Sequence, residues 1–262
     1  MPVAEMPAQR PGGLERAVPS AARIPPNCLH AVFRSVDEWQ RLTGREVIKL
    51  HVGEPAFAPP PEVAEALAEA TRSGRTAYTS AEGMPELRAA LSAKLSERNG
   101  VHTTPERVFV SPGSCQGLAA LLQSIAYDGG EVLLPELHWP IHLQQRLLAG
   151  LRPRFYPLDE RYRPHVCGIS AAATPRTCAL LVNSPANPTG AVLGVELVTA
   201  LLELAHSRGW WVISDEAYED FVYEGRHIAM AALESDLPER QRRVFATYSF
   251  SKSFAMTGNR LG

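Results

Sequence analysis

The sequence predicts a three-layer α/β/α fold in which helices cover both faces of a mainly parallel sheet. From about residue 60 onward, apolar runs of strand length alternate with stretches of helical period, the pattern of consecutive strand–helix units. The strand runs are short and apolar throughout, as strands covered on both faces are. Polar residues cluster just after these runs, where ligands bind in open α/β sheets.

Taken in order, a first helix starts at Pro61, carries Val63, Leu67 and Ala70 on one face, and stops at Gly74. A second starts near Pro85, spaces Leu87, Leu91 and Leu95 four apart, and ends before Gly100. Strands are predicted over 107–111, 131–134, 179–182, 210–214 and 244–248, and helices over 115–127, 138–148 and 195–208. The polar clusters then fall at 111–116, at His138 and Trp139, and at 183–190, 215–218 and 249–260.

A chain of 262 residues, 45% apolar and 21% charged, suffices for one large α/β domain with flanking pieces. Its formal charge of -2 and scattered arginines argue against a nucleic-acid partner. Cys28, Cys115, Cys167 and Cys178 form no CxxC pair, and free thiols suit a reducing, cytoplasmic setting. The opening stretch has no apolar core of a secretory signal, and no segment is apolar for long enough to span a bilayer, so no membrane partner is expected. Six prolines precede residue 27. Residues 1–44 are expected to form a Pro-rich N-terminal arm, extended or disordered at its start, and residues 45–262 the domain.

The strand ends hold chemistry that each residue alone leaves open. Gly113, Ser114 and Cys115 follow a strand and open a helix; such a turn suits a phosphate, or is simply a cap. Lys252 is one of three lysines beside 23 arginines, and stands among Ser249, Phe250, Ser251, Ser253 and Phe254. Burial there would lower its proton affinity and ready it to condense with an aldehyde; a surface lysine is the plain alternative. Asp215 either caps a helix or meets a cation such as a protonated ring nitrogen. Trp139 could stack on a flat ring or merely pack, and Arg260 could bind a phosphate or face water. His138 and His142 have i, i+4 spacing, but Pro140 stands between them and no HExxH pattern accompanies them, so no metal site is expected. One ligand would use all the other groups: a phosphate, a flat pyridine, an acid for its nitrogen and an aldehyde for the lysine.

With NSPANPTG at 183–190, SDEAY at 214–218 and YSFSKSFAMTGNRLG at 248–262, the chain resembles the class I/II aminotransferases, fold type I pyridoxal-phosphate enzymes. The similarity extends to LHVGEPAFAPP at 50–60, AYTSAEGMPELR at 77–88 and VSPGSCQGL at 110–118. It implies the large domain of that fold, with pyridoxal 5'-phosphate bound to Lys252 as a Schiff base. It further implies ping-pong transfer of an amino group from an amino acid to a 2-oxo acid.

By the same resemblance, Asp215 holds the pyridine nitrogen protonated, and Asn187 and Tyr218 bond the ring hydroxyl. Trp139 stacks on the ring, while Ser114, Cys115, Ser249 and Arg260 cradle the phosphate. Gly53, with Trp139 and Asn187, lines the substrate pocket. Asn183 lies near it. Tyr78 matches a tyrosine that reaches the neighbouring subunit's cofactor, which implies a homodimer.

Two departures stand out. Cys115 is unusual in the phosphate turn, and the sequence stops at Gly262, where relatives continue into a small domain that supplies an arginine for the substrate carboxylate. A fragment with the small domain largely missing is therefore expected. Other readings are a lyase or synthase of the same fold type, a non-catalytic sensor domain, and an inert truncated product; the short N-terminal span disfavours the sensor.

Overall fold

The computed structural model describes residues 24–26, 28–50 and 52–262. Most of the Pro-rich arm, residues 1–23, lies outside the described residues. The helix α1 (Cys28–Thr43) occupies the rest of that segment and was not foreseen. It is followed by α2 (Pro61–Arg72) and α3 (Pro85–Asn99), both close to their predicted spans. Each opens on a proline, whose missing N–H costs nothing at a helix start. Gly100 ends α3 with φ 69°, a left-handed conformation that glycine adopts without penalty.

The sheet has five parallel strands, β1 (Glu131–Pro135), β2 (Arg152–Tyr156), β3 (Thr177–Asn183), β4 (Trp211–Asp215) and β5 (Val244–Thr247), in the order β2-β1-β3-β4-β5. The helix α4 (Ser114–Ile125) precedes β1, α5 (Pro140–Leu148), α6 (Val166–Ala172) and α7 (Val195–Arg208) run between successive strands, and a short α8 (Phe250–Ser253) follows β5. Alternation along the strands builds the layers. Val132, Leu134, Ala179, Leu181 and Ile213 pack with Leu118 and Leu122 of α4 on one face. Leu133, Leu180, Val182 and Val212 pack with Ile169 of α6 and Val198, Leu201 and Ala205 of α7 on the other. Burying a leucine in this way contributes roughly 1.5–3 kcal/mol.

One predicted strand is corrected. Residues 107–111 form no strand: Pro105–Arg107 is a 3₁₀ turn, and the extended residues beyond it meet loops. Val110 N–H donates to Glu82 O at 2.9 Å, and Ser111 and Gly262 exchange backbone bonds of 2.8 and 3.1 Å. The strand β2 was missed because its sequence, RPRFY, has no apolar run; as an edge strand it buries mainly Tyr156. The predicted strand 210–214 is shifted by one residue, which carries Asp215 onto the end of β4. That shift sets the site, since β4 pairs Asp215 with Asn183 of β3 and with Thr247 of β5.

Candidate active site

Asp215 ends β4 buried, and its charge is met from within the chain. His142 Nε2 lies 2.7 Å from Asp215 Oδ2, both groups being buried. With the carboxylate ionised, the imidazole nitrogen is the donor. Ala217 N–H donates to Oδ1 at 3.2 Å, and Asn183 Nδ2 donates to the Asp215 backbone carbonyl at 2.9 Å. Asn183 Oδ1 in turn accepts from Asn187 N–H at 2.7 Å, so the polar loop after β3 is tied to the end of β4. Trp139, the residue before α5, packs edge-on against the His142 ring at 5.4 Å and 89°.

Lys252 approaches this carboxylate turn from the other side. Its half-buried amine lies over the Tyr218 ring, 5.4 Å from the centroid, and donates to the Gly53 carbonyl. Gly53 admits that approach because it lacks a side chain: a Cβ there would lie 3.0 Å from Tyr218 Oη and 3.6 Å from Lys252 Nζ. Burial pushes the Lys252 proton affinity down and the Arg260 charge pushes the same way, against Glu54 and Cys115. Burial first, and the Asp215 charge second, hold the Tyr218 phenol protonated above its ordinary range. The next residue, Glu54, accepts from Thr257 Oγ1 at 2.6 Å, so the 53–54 segment straps the lysine loop at two points.

The start of α4 forms a cationic corner. Ser114 and Cys115 are its first two residues, and their N–H groups have no acceptor within the helix. Gly113, at φ 75°, lies under the Arg260 guanidinium; a Cβ there would be 2.5 Å from Nη2. Arg260 also donates from Nη1 to Thr257 O at 2.8 Å. Ser249 Oγ accepts from Ser251 N–H at 3.1 Å and so caps α8. The Cys115 thiol is pushed up in pKa by its burial, partly offset by Arg260. The backbone N–H that Cys115 offers at the helix start is the same whatever its side chain.

Of the residues singled out from sequence, Lys252, Asp215, Tyr218, Gly53, Cys115 and Arg260 surround one cleft at the carboxyl ends of the strands. Asn187 lines a neighbouring cavity with His142, Tyr156 and Asn183. Tyr78 stands apart, 106% exposed. His142 is the residue that sequence reasoning missed. Its spacing to His138 was weighed only for a metal pair, which was not expected; His138 stacks on Phe155 at 5.4 Å while His142 turns inward to Asp215. A lone histidine one residue past a helix-opening Pro-Ile, facing a sheet end, was the available signal. Among the described residues no group of three or more His, Cys, Asp or Glu could hold a metal, and no helix is long and apolar enough to cross a membrane.

The donor set fits pyridoxal phosphate. The α4 start with Arg260 can hold a dianion, Asp215 can pair with a protonated ring nitrogen, and the desolvated Lys252 amine can meet an aldehyde.

Known proteins point the same way. The profile described as Aminotransferase class I and II matches residues 45–262. The aspartate/prephenate aminotransferase of Thermus thermophilus is 37% identical over 253 residues, which are 95% of this chain and 63% of that one. The probable aspartate/prephenate aminotransferase of Thermus aquaticus is 38% identical over 224 residues, 85% of this chain and 57% of its own. The solved aspartate aminotransferase from Thermus thermophilus with maleate superimposes with a TM-score of 0.86 at 36% identity, covering 93% of this chain and 62% of that one. An alanine aminotransferase from Pyrococcus furiosus gives 0.87 at 32% identity, with 94% and 62% covered. The chain thus spans less than two thirds of the length of each. On sheet order, strand-end chemistry and the match over 45–262, it belongs to the class I and II aminotransferase family, whose cofactor is pyridoxal 5'-phosphate.

Proposed function

We propose that this chain forms the cofactor-binding part of an aminotransferase that moves an amino group from an amino acid to a 2-oxo acid. The reading rests on one observation: a half-buried lysine amine of lowered proton affinity faces Tyr218 in the same cleft as a buried aspartate and a cationic helix start. When bound, pyridoxal phosphate supplies an aldehyde and an electron-withdrawing ring. The chain's own groups do the rest.

Lys252 would be the attachment point and, once freed by the substrate, the base that holds the α-proton at Nζ. Its desolvation keeps a neutral amine accessible nearer to neutral pH. Asp215 would hold a proton on the ring nitrogen, with His142 keeping Asp215 in place. Asn187 and Tyr218 would bond the ring hydroxyl, Trp139 would pack on the ring, and Ser114, Cys115, Ser249 and Arg260 would hold the phosphate. Gly53, Trp139 and Asn187 border the substrate.

We place the domain at residues 45–262, after an N-terminal extension of residues 1–44. The working form is a homodimer in which Tyr78 serves the partner's site. Its complete exposure suits a side chain meant for another subunit. Aspartate is the first donor to test, since both Thermus relatives carry its name.

The test is purification with pyridoxal phosphate, borohydride reduction and peptide mass spectrometry. The cofactor mass should sit on the Lys252 peptide, and Lys252→Ala should abolish both it and the visible absorption band. An unchanged band in that variant would refute the assignment.

A further inference from the structure

The helix α3 contributes no residue to the cleft, yet its C-terminal half grips the cleft from behind. Both carboxylate oxygens of Glu219 are taken by this helix: Lys94 Nζ is 2.5 Å from Oε1, and Asn99 Nδ2 is 2.5 Å from Oε2. The pair is largely withdrawn from water, with side-chain exposures of 27% for Lys94 and 12% for Glu219. Glu219 directly follows Tyr218, and its N–H donates to Glu216 O at 3.0 Å within the same tight turn.

Lys94 also reaches the lysine segment itself, since its ammonium sits 5.1 Å from the centroid of Tyr248, four residues before Lys252. The Tyr248 hydroxyl is buried, beside the Glu216 and Glu219 carboxylates. Glu216 is immobilised in turn by Ser214 Oγ at 2.8 Å, His227 Nε2 at 2.9 Å and Met230 N–H at 3.0 Å. One ammonium therefore joins the Asp215–Tyr218 turn to the strand that leads into Lys252. In a chain that carries 23 arginines, a lysine stands here. A compact ammonium can touch one carboxylate oxygen and lie over a ring, where a forked guanidinium has a different reach.

We propose that Lys94 is a positioning residue which, by clamping Glu219 and resting on Tyr248, holds the Tyr218 ring against the Lys252 amine. The proposal rests on Lys252 being the reactive amine. Four groups face that amine: Tyr218 from the β4 turn, Glu54 from the strap, Cys115 from α4 and Arg260 from the terminal segment. Releasing Tyr218 lets water reach the amine, so its affinity for a proton rises toward that of ordinary lysine.

The experiment is trace acetylation of Lys252 with acetic anhydride across pH, on the 262-residue chain without cofactor, read by peptide mass spectrometry. Lys94→Met and Glu219→Gln should both move half-maximal labelling upward, by about half a pH unit or more. Lys94→Arg should recover part of the loss, and Arg98→Gln, which removes an exposed ion pair to Asp220 from the same helix, should match the parent. A field effect acting through space gives opposite signs, because one variant deletes a cation and the other an anion.

Opposite shifts, or a parent-like profile in Lys94→Met, would overturn the proposal. Should Lys94→Met not fold, the near-isosteric Glu219→Gln decides alone: an upward shift supports positioning, and a downward or absent one overturns it. Failure to bind pyridoxal phosphate would sink the cofactor reading while leaving the labelling result intact, so the two ideas fail separately.

Discussion

The sheet half of the molecule and the span before residue 85 solve burial differently. From α4 onward, both faces of the sheet are covered, and the strands β1, β3 and β4 contribute side chains with almost no exposure. In α2, by contrast, no residue is buried, and Leu42, Ile48, Leu50, Phe57 and Leu67 face outward around it in the sequence. The first region holds itself together. The second meets the sheet half at the cleft through the strap at Gly53 and Glu54, which touches Lys252 and Thr257. The candidate site thus lies where a well-packed half meets a loosely covered one, and the two should respond to mutation on different scales.

The largest effect belongs to the rigid half. Asp215→Ala should raise the dissociation constant for pyridoxal phosphate by about a hundredfold or more, because it strips the buried partner from His142 and from any ring nitrogen placed there. Fluorescence titration would read this, and an affinity within about threefold of the parent would remove Asp215 from the cofactor site.

Next comes packing. Leu181→Ala should cost roughly 2–5 kcal/mol in denaturant unfolding, since the side chain is fully buried between α4 and the sheet. Leu67→Ala, on the exposed face of α2, should cost under about 0.5 kcal/mol. Equal losses would show that α2 is covered in solution and would erase the contrast. Hydrogen exchange sharpens the same comparison: amides of α2 should exchange well before those of β3.

The same division explains what could be read from the sequence. Strands such as ALLV at 179–182 announced themselves because each is apolar on both faces, and polar residues just beyond them marked the cleft. RPRFY of β2 did not, since an edge strand has one open side and this one packs mainly a single tyrosine. The run at 107–111 had strand composition but meets only loops at Glu82 and Gly262, and pairing is a long-range property that composition does not encode. The blocks that carry Gly53, Tyr218 and Lys252 also stood out in the sequence, and these three residues meet. His142 did not stand out, because its role follows from a contact across 73 residues, between a helix start and a strand end. The Lys94 clamp was hidden for the same reason, spanning 125 residues to Glu219.

The smallest expected effect lies at the seam between the two regions. Glu54 belongs to the strap, and its negative charge favours the ammonium form of Lys252, in opposition to burial. Glu54→Gln removes that charge and keeps an oxygen able to accept from Thr257 Oγ1, so the strap stays closed. The neutral amine is then favoured further, and half-maximal acetylation of Lys252 should move to lower pH, opposite in sign to the shift expected on loosening Tyr218. An upward shift would mean that the strap opens when Glu54 is neutral, with water entering around the amine. In that case the carboxylate acts chiefly as a latch through Thr257, and the exposed region governs the lysine by covering it.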